Sequence, residues 1–198
     1  MARSRSAGRR PVSRGAAAPD VATSASGVGL APGPSLASAT LPRVWQGVGY
    51  RPRSDPGVAR PLFNFAAVPW PETAALAFCW GAHVARATGE QLVGAVVAER
   101  AERAVMLYGP VVTVEAEDAL EVAAQLVAVA LDHASALGVE TIFARPQGLD
   151  RVWIRYGFIP VPEGALPAAL GRQEKIGLYA WRGGTALWTF RETAKHDH

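Results

Sequence analysis

The sequence predicts a mixed α/β (α+β) domain with a mostly antiparallel sheet, one long helix after the third recognisable strand, and a C-terminal hairpin. Three observations predict it: three strand-like segments in succession, then a long segment of helical periodicity, then short strands around a short helix. A folded core is expected because 49% of the 198 residues are hydrophobic and only 19% are charged.

The three strands form a predicted antiparallel meander over residues 78–86, 91–99 and 104–114. The dipeptide Gly109-Pro110 lies within the third strand. Because proline has no N–H to give to a sheet ladder, this dipeptide predicts a bulge or a splayed pairing at that point.

Helical spacing of Ala, Leu and Val predicts the long helix over residues 115–137, with Gly138 in the C-cap position. The segments after it predict two short strands, a short helix between them and a hairpin that turns at Gly183-Gly184. These segments are 139–144 (strand), 148–156 (helix), 158–161 (strand), and 176–182 with 185–191 (hairpin).

The chain divides into three predicted parts. Residues 1–40 are rich in Ala, Ser, Gly, Pro and Arg, which predicts a disordered basic tail; residues 41–60 predict an irregular linker, and residues 61–198 the folded domain. Five Arg and no acid in the first nineteen residues are typical of an organellar transit peptide. They are also typical of a basic tail that has no targeting function, and this is the interpretation we favour.

Charge and cysteine content exclude several classes of protein. Residues 1–60 carry nine Arg against two Asp, whereas residues 61–198 carry eleven Lys and Arg against fifteen acids. Because the folded part has no basic cluster, no nucleic-acid partner is expected. No apolar run approaches the ~18 residues of a membrane span, so no association with a membrane is expected. A single cysteine, Cys79, cannot form an intrachain disulfide, so a reducing, cytoplasmic location is expected.

From about Phe78 to Val161 the order of elements resembles the GNAT acyltransferase superfamily. The tetrapeptide Arg155–Phe158 looks like the end of the family's short helix, and residues 130–143 look like the passage from its long helix into the next strand. A weaker likeness points to the N-acetylglutamate-synthase-like branch, through Trp153, Gly157-Phe158, Pro160 and Leu166-Pro167.

This resemblance implies acetyl-CoA or another acyl-CoA as cofactor. The acyl chain would lie along the third strand near Val112, Thr113 and Val114, and the diphosphate on amides at the start of the long helix, where Ala123 matches the family pattern and the next residue, Ala124, is taken as a second contact. The family pattern Gln/Arg-x-x-Gly-x-Gly/Ala falls on Asp118, Glu121 and Ala123, and only Ala123 fits it. The chain therefore resembles a degenerate member, in which the carboxylates of Glu115, Glu117, Asp118 and Glu121 repel a diphosphate.

Two catalytic residues follow from the same resemblance. Many members carry a Tyr that protonates the thiolate leaving group at the position where this chain has Trp153. Tyr156 is therefore the candidate acid here, unless it only packs against the sheet. Glu102, beside Glu99 at the corner before the third strand, is the candidate base, unless it is a solvated hairpin tip.

Other titratable residues have simpler interpretations. His133 is expected on the surface of the long helix, and Cys79 and His83 are expected on one face of a strand, too far apart for a metal or nucleophile pair, so no metal site is predicted. The charged residues around the short helix, Arg145, Asp150, Arg151 and Arg155, predict either an anion site or a surface charge network.

Two functional hypotheses remain after these arguments. In the first, the protein is an acyl-CoA-dependent N-acyltransferase that acts on a small-molecule or peptide amine, with a degenerate coenzyme site. In the second, it is a catalytically silent module of the same fold that binds another protein or a small ligand.

Overall fold

A computed structural model of the protein describes residues 35–71, 76–171 and 177–182, and for residues 116 and 117 the backbone alone. Eight strands in these ranges form one sheet, in the order β1-β2-β3-β4-β5-β6-β8-β7. The strands are β1 Arg43–Trp45, β2 Val48–Pro52, β3 Leu76–Arg86, β4 Gly89–Ala101, β5 Ala104–Val112, β6 Thr141–Ala144, β7 Ile159–Val161 and β8 Leu178–Arg182.

Only one pair of neighbouring strands in this sheet is parallel. Strands β5 and β6 run in the same direction, because the long helix between them carries the chain back across the sheet, and every other pair is antiparallel. The mixed, mostly antiparallel sheet predicted from the sequence is therefore confirmed.

Helices cover both faces of the sheet. The described α-helices are α1 Leu36–Ala39, α2 Arg60–Phe65, α3 Ala116–Ala136 and α4 Asp150–Arg155, and 3-10 helices cover Pro56–Ala59, Glu163–Ala165 and Ala168–Leu170. On one face, α3 and α4 bury the largest apolar cluster, which includes Trp80, Leu126 and Trp153. On the other face, α2 packs Phe63 on Cys79 and Val97.

Helix α3 is the central element of the larger core. Its residues Val122, Leu126 and Ala130 are almost completely buried, as expected for an apolar stripe at helical spacing. The helix ends before Gly138, whose φ of +71° suits a left-handed C-terminal position. The segment Asp118–Ala136 is long and apolar enough to cross a membrane, and here its apolar face is covered by the sheet.

The N-terminal boundary of the domain differs from the prediction. Residues 43–52, assigned to an irregular linker, form β1 and β2, and β2 pairs with β3 from Val48 to Pro52. Apolar alternation is weak there because β1 lies at the sheet edge with Val44 exposed, so little of the segment needed to be buried. Within the predicted tail, α1 is described with Ala39 buried; residues 1–34 lie outside the described ranges.

At the C-terminus, β8 confirms the first arm of the predicted hairpin and pairs with β7. The predicted second arm, residues 185–191, lies outside the described residues.

The predicted surface position of His133 is wrong. Its side chain is 8% exposed, its ring stacks on Phe78, and its Nδ1 accepts a hydrogen bond from Trp80 Nε1 at 3.0 Å. The helix periodicity that places Ala130 and Ala134 in the core also turns this histidine inward. Burial lowers the pKa of His133, so the ring is neutral at pH 7.

We expect His133 to make stability depend on pH. Because its pKa is lowered in the folded state, the unfolded chain binds a proton first as the pH falls below about 6.5, and the free energy of unfolding then decreases. The slope from this one group is at most about 1.4 kcal/mol per pH unit. Denaturant unfolding of the wild type and of His133→Gln between pH 7.5 and 5.5 measures it.

The variant His133→Gln keeps an acceptor for Trp80 and has no proton to gain, so its stability is expected to fall less over this range. Some slope remains because burial also lowers the pKa of His83. Identical slopes for the two proteins would contradict the assignment.

Candidate active site

The main opening in the sheet lies where β5 and β6 part. Their parallel pairing runs from Ala104↔Thr141 to Leu107↔Ala144 and ends there, while β5 continues to Val112. From residue 109 to 112, β5 is paired only with β4, so its other edge has no strand partner within the described part of the chain. Such an edge offers backbone N–H and C=O groups to a ligand that can act as an extra strand.

A bulge marks the start of this open edge. The β4–β5 register shifts between the pairs Ala95↔Val111 and Val97↔Tyr108, so Gly109 and Pro110 together oppose Val96. Gly109 has a φ of +85°, and a Cβ added to it would lie 2.9 Å from the Val111 nitrogen and 3.0 Å from the Ala95 oxygen. The predicted bulge at Gly109-Pro110 is confirmed, and glycine is required by both its conformation and its surroundings.

The predicted acyl-chain positions lie at the outer end of this edge. Val112 is the last residue of β5, and Thr113 donates its amide to the Val93 carbonyl at 2.8 Å, which keeps the chain on β4 one residue further. Val114 is half-buried and leads directly into the start of α3. The structure therefore brings Val112, Thr113 and Val114 between the open edge and the helix start.

The predicted phosphate-binding positions Ala123 and Ala124 are wrong. Both are 1% exposed in the core, about two turns inside α3, where backbone amides donate within the helix. The amides left free for an anion belong to residues 115–117, because those of Asp118 and Ala119 already donate to the Glu115 carbonyl at 3.1 Å. Counting back from Gly138 without gaps placed the motif too far along the helix.

Of the acids predicted to crowd this helix start, Glu121 turns away from it. Its carboxylate receives two hydrogen bonds from Arg155 of α4, at 2.6 and 3.3 Å, and one from Gln125 at 3.0 Å. The hydrogen bond from Arg155 holds the pKa of Glu121 below its usual value. Glu115 and Asp118 are exposed and make no ion pair among the described residues, so the helix start remains negatively charged.

The predicted base Glu102 lies outside this site. It occupies the exposed turn between β4 and β5 with a φ of +54°, and its carbonyl accepts a hydrogen bond from Arg100. From there to Val112, β5 extends over roughly 25 Å. Glu102 therefore sits at the opposite end of the strand from the acyl-chain positions.

A second carboxylate lies where the strands part, on the sheet face opposite α3. Glu99 on β4 is 4% exposed, and Tyr108, the last residue before the bulge, donates its hydroxyl to Glu99 Oε2 at 2.6 Å. Among the described residues no cation lies within ion-pair distance of Glu99. The sequence signal was a glutamate at the end of an apolar strand, but only the register of β4 on β5, with Val97 opposite Tyr108 and Glu99 opposite Met106, places it beside Tyr108.

The two aromatic residues at the C-terminal half of α4 and its cap pack into the core. Trp153 is fully buried and donates its indole N–H to the Pro146 carbonyl at 3.3 Å. The predicted acid Tyr156 caps the C-terminal end of α4 and packs on the core below α3, with the Arg155 guanidinium over its ring. Burial raises the pKa of Tyr156, which weakens it as an acid at neutral pH.

The remaining candidates are structural. Cys79 and His83 share one face of β3, as predicted, and burial raises the pKa of the Cys79 thiol to about 12, so it carries no thiolate at neutral pH. The predicted charge cluster is divided among separate partners: Arg145 pairs with Glu163, and Asp150 accepts a hydrogen bond from Tyr179. Within the described residues, no group of three or more His, Cys, Asp or Glu could hold a metal ion.

Comparison with known proteins supports this reading of the fold. No protein-family model matches the chain, and no curated protein matches its sequence. A GNAT-family acetyltransferase from Staphylococcus aureus matches 68% of this chain over 98% of its own, at 11% identity and a TM-score of 0.52. A domain from Methanocaldococcus jannaschii matches 69% of this chain over 98% of its own, at 10% identity and a TM-score of 0.50.

N-acetylglutamate synthase from Neisseria gonorrhoeae, solved with coenzyme A and N-acetyl-glutamate, also shares the fold. It matches 71% of this chain, at 16% identity and a TM-score of 0.53, and the match spans 35% of the synthase chain. The protein therefore has a GNAT-like fold, as its sequence predicted.

We expect Gly109 to be intolerant of substitution. The change Gly109→Ala places a Cβ against two backbone atoms at a positive φ, and should lower the free energy of unfolding by about 2 kcal/mol or more. Gly138→Ala is the matched control, because its φ is also positive but nothing lies within 4 Å of its added Cβ. Equal losses for the two variants in denaturant unfolding would show that Gly109 is needed for its φ alone.

Proposed function

We propose that this protein is an acyl-CoA-dependent N-acyltransferase. One observation carries the proposal: among the described residues, the edge of β5 over residues 109–112 has no strand partner, and it leads from a buried carboxylate to the amides at the start of α3. The GNAT fold alone is compatible with many functions, so the argument rests on this juxtaposition.

The residues present fit most of the coenzyme. Its pantetheine arm carries amides that match the free N–H and C=O groups of the β5 edge, and its diphosphate can meet the free amides of residues 115–117. The negative charge of Glu115 and Asp118 opposes the diphosphate, so the affinity is expected to be modest. When bound, the coenzyme supplies an acyl group activated as a thioester.

Glu99 is the proposed base. A carboxylate that is nearly buried and has no cationic partner among the described residues can accept the proton of the acceptor ammonium, which frees the amine to attack the acyl carbonyl. The hydrogen bond from Tyr108 fixes the orientation of the carboxylate at the point where β5 and β6 part. The acceptor in this proposal is a primary amine of a small molecule or peptide.

A silent binding module is the second candidate, and the position of Trp153 favours it. The indole occupies the place of the acid that the family resemblance implies, and it is fully buried with its N–H already donated. Tyr156 does not replace that acid, since it faces α3. A module of this kind would bind coenzyme or another ligand without turnover.

The coenzyme proposal predicts measurable binding that improves when an acid is removed. In calorimetric titration of the full chain with acetyl-CoA, Asp118→Asn should bind about fivefold more tightly than the wild type. A carboxylate about 8 Å from a phosphate costs about 1 kcal/mol at an effective dielectric near 40. Glu102→Gln removes an exposed carboxylate at the far end of β5 and serves as the matched control.

Binding is expected for the wild type and unchanged for Glu102→Gln. Failure of both the wild type and Asp118→Asn to bind acetyl-CoA at millimolar concentration would overturn the acyltransferase proposal.

Glu99 should be needed for turnover and Glu102 should not. With a panel of amino acids, peptides and polyamines as acceptors, release of the coenzyme thiol is expected to fall at least about 100-fold in Glu99→Gln. It should remain near the wild-type rate in Glu102→Gln, and Tyr108→Phe is expected to lie between the two.

Calorimetric binding of acetyl-CoA shows whether each variant is still folded at the coenzyme site. Binding without thiol release for any acceptor in the panel would favour the silent module. Thiol release that is unaffected by Glu99→Gln would exclude Glu99 as the base.

A further inference from the structure

A second concave site lies on the sheet face that carries α2. It is a pocket of about 220 Å³ between β2, β3, the start of β4 and the 3-10 helix Pro56–Ala59. A volume of this size equals about seven water molecules, enough for a small organic molecule. Its walls are formed by Arg51, Arg53, Val58, His83, Glu90 and Leu92.

Two buried nitrogen atoms of this pocket have no hydrogen-bond partner among the described residues. They are Arg53 Nε and His83 Nδ1, and His83 is 7% exposed. Leaving such groups unpaired costs about 1–3 kcal/mol each, so their persistence points to a polar ligand or ordered water. A guanidinium can only donate, and a neutral imidazole has a single N–H, so an acceptor-rich anion satisfies both nitrogens in the His83 tautomer that carries its proton on Nδ1.

The chain leaves room for these side chains to meet. A Cβ added to Gly81 on β3 would lie 2.7 Å from His83 Cε1, 2.8 Å from Leu92 Cδ1 and 3.4 Å from Arg53 Cγ. The pocket thus depends on a residue without a side chain at its floor. A glycine with ordinary strand conformation at this position is explained by the close approach of those three side chains.

The charge of the pocket is close to +1. Arg51 pairs with Glu90, so the Arg53 guanidinium is left without an ion-pair partner among the described residues. Asp55, two residues further on, does not line the pocket, and its Oδ1 accepts the Gly57 amide at 2.9 Å. His83 adds no charge at neutral pH, because burial, and then Arg51 and Arg53, lower its pKa. One unpaired positive charge matches a monoanion better than a phosphate dianion.

We propose that this pocket binds the carboxylate of a small monocarboxylic acid. Arg53 and His83 hold the carboxylate, and Val58 and Leu92 contact the apolar part of the acid.

The site is separate from the open edge of β5. His83 lies on the second strand from Val112, about 10 Å across the sheet. It also faces away from α3, whose first turn is the proposed place of the coenzyme diphosphate.

Propionate and propionamide are the probes for this site, because they have nearly the same shape and differ in charge. The full chain is titrated with each while the His83 ring signals are followed by NMR. We expect a saturable shift with propionate at millimolar concentration and none with propionamide. Arg53→Gln should weaken propionate binding at least tenfold, whereas Arg86→Gln, an exposed arginine at the end of β3, should not change it.

A variant that binds propionate more tightly than the wild type cannot be explained by loss of folding. Glu90→Gln deletes the negative charge of the wall and should tighten propionate binding about threefold or more. Equal shifts with propionate and propionamide, or no effect of Arg53→Gln and Glu90→Gln, would overturn the carboxylate site. Displacement of propionate by coenzyme A would overturn its separation from the coenzyme site, and this result is independent of any acyl transfer.

Discussion

Strand β5 pairs with β4 over a longer stretch than with β6, and this difference shapes the candidate site. On one side β4 holds the strand from residue 104 to 112, through a bulge, while on the other side β6 leaves after four residue pairs. A strand held on one side only still has its backbone groups positioned, because the β4 ladder and the core below it keep them in place. The edge of β5 is therefore held in place without a second strand from the described part of the chain, and α3 begins shortly after its end.

The charges around that helix start are arranged by α4. Arg155 reaches across to Glu121 and removes one carboxylate from the region, which leaves Glu115 and Asp118 to oppose an anion. Both partners of this pair are partly exposed, so it contributes little to stability, and its main effect is on where the carboxylate points. The start of α3 therefore repels an anion less than the sequence alone suggested, although it carries no basic side chain that would bind a phosphate.

Most of the fold could be predicted from the local periodicity of apolar residues. The segments from 78 to 161 alternate or repeat clearly enough that strands, helices and the Gly109-Pro110 bulge could be predicted from the sequence. The site was predictable only in part, because its residues depend on register and on rotation. Glu99 and Glu102 look alike in the sequence, but the β4–β5 pairing places Glu99 within the ladder, opposite Met106, and leaves Glu102 in the exposed turn. His133 was misplaced although the spacing that buries Ala130 and Ala134 turns it inward too, and Ala123 was misplaced because the sequence does not show where the first free amide of the helix lies.

The proposed coenzyme site is built mainly from backbone groups. An open strand edge and a helix start act through backbone N–H and C=O groups, which nearly any side chains can supply if the bulge and the helix start are kept. Identities of 10–16% to structures that share the fold are compatible with a site built from such a backbone path. Side chains then set what a particular chain does with the path: Glu99 and Tyr108 on one face of the sheet, Trp153 in the core of the other. The distinguishing chemistry of this protein is therefore to be sought on the α2 face, where both the Glu99 carboxylate and the Arg53–His83 pocket lie.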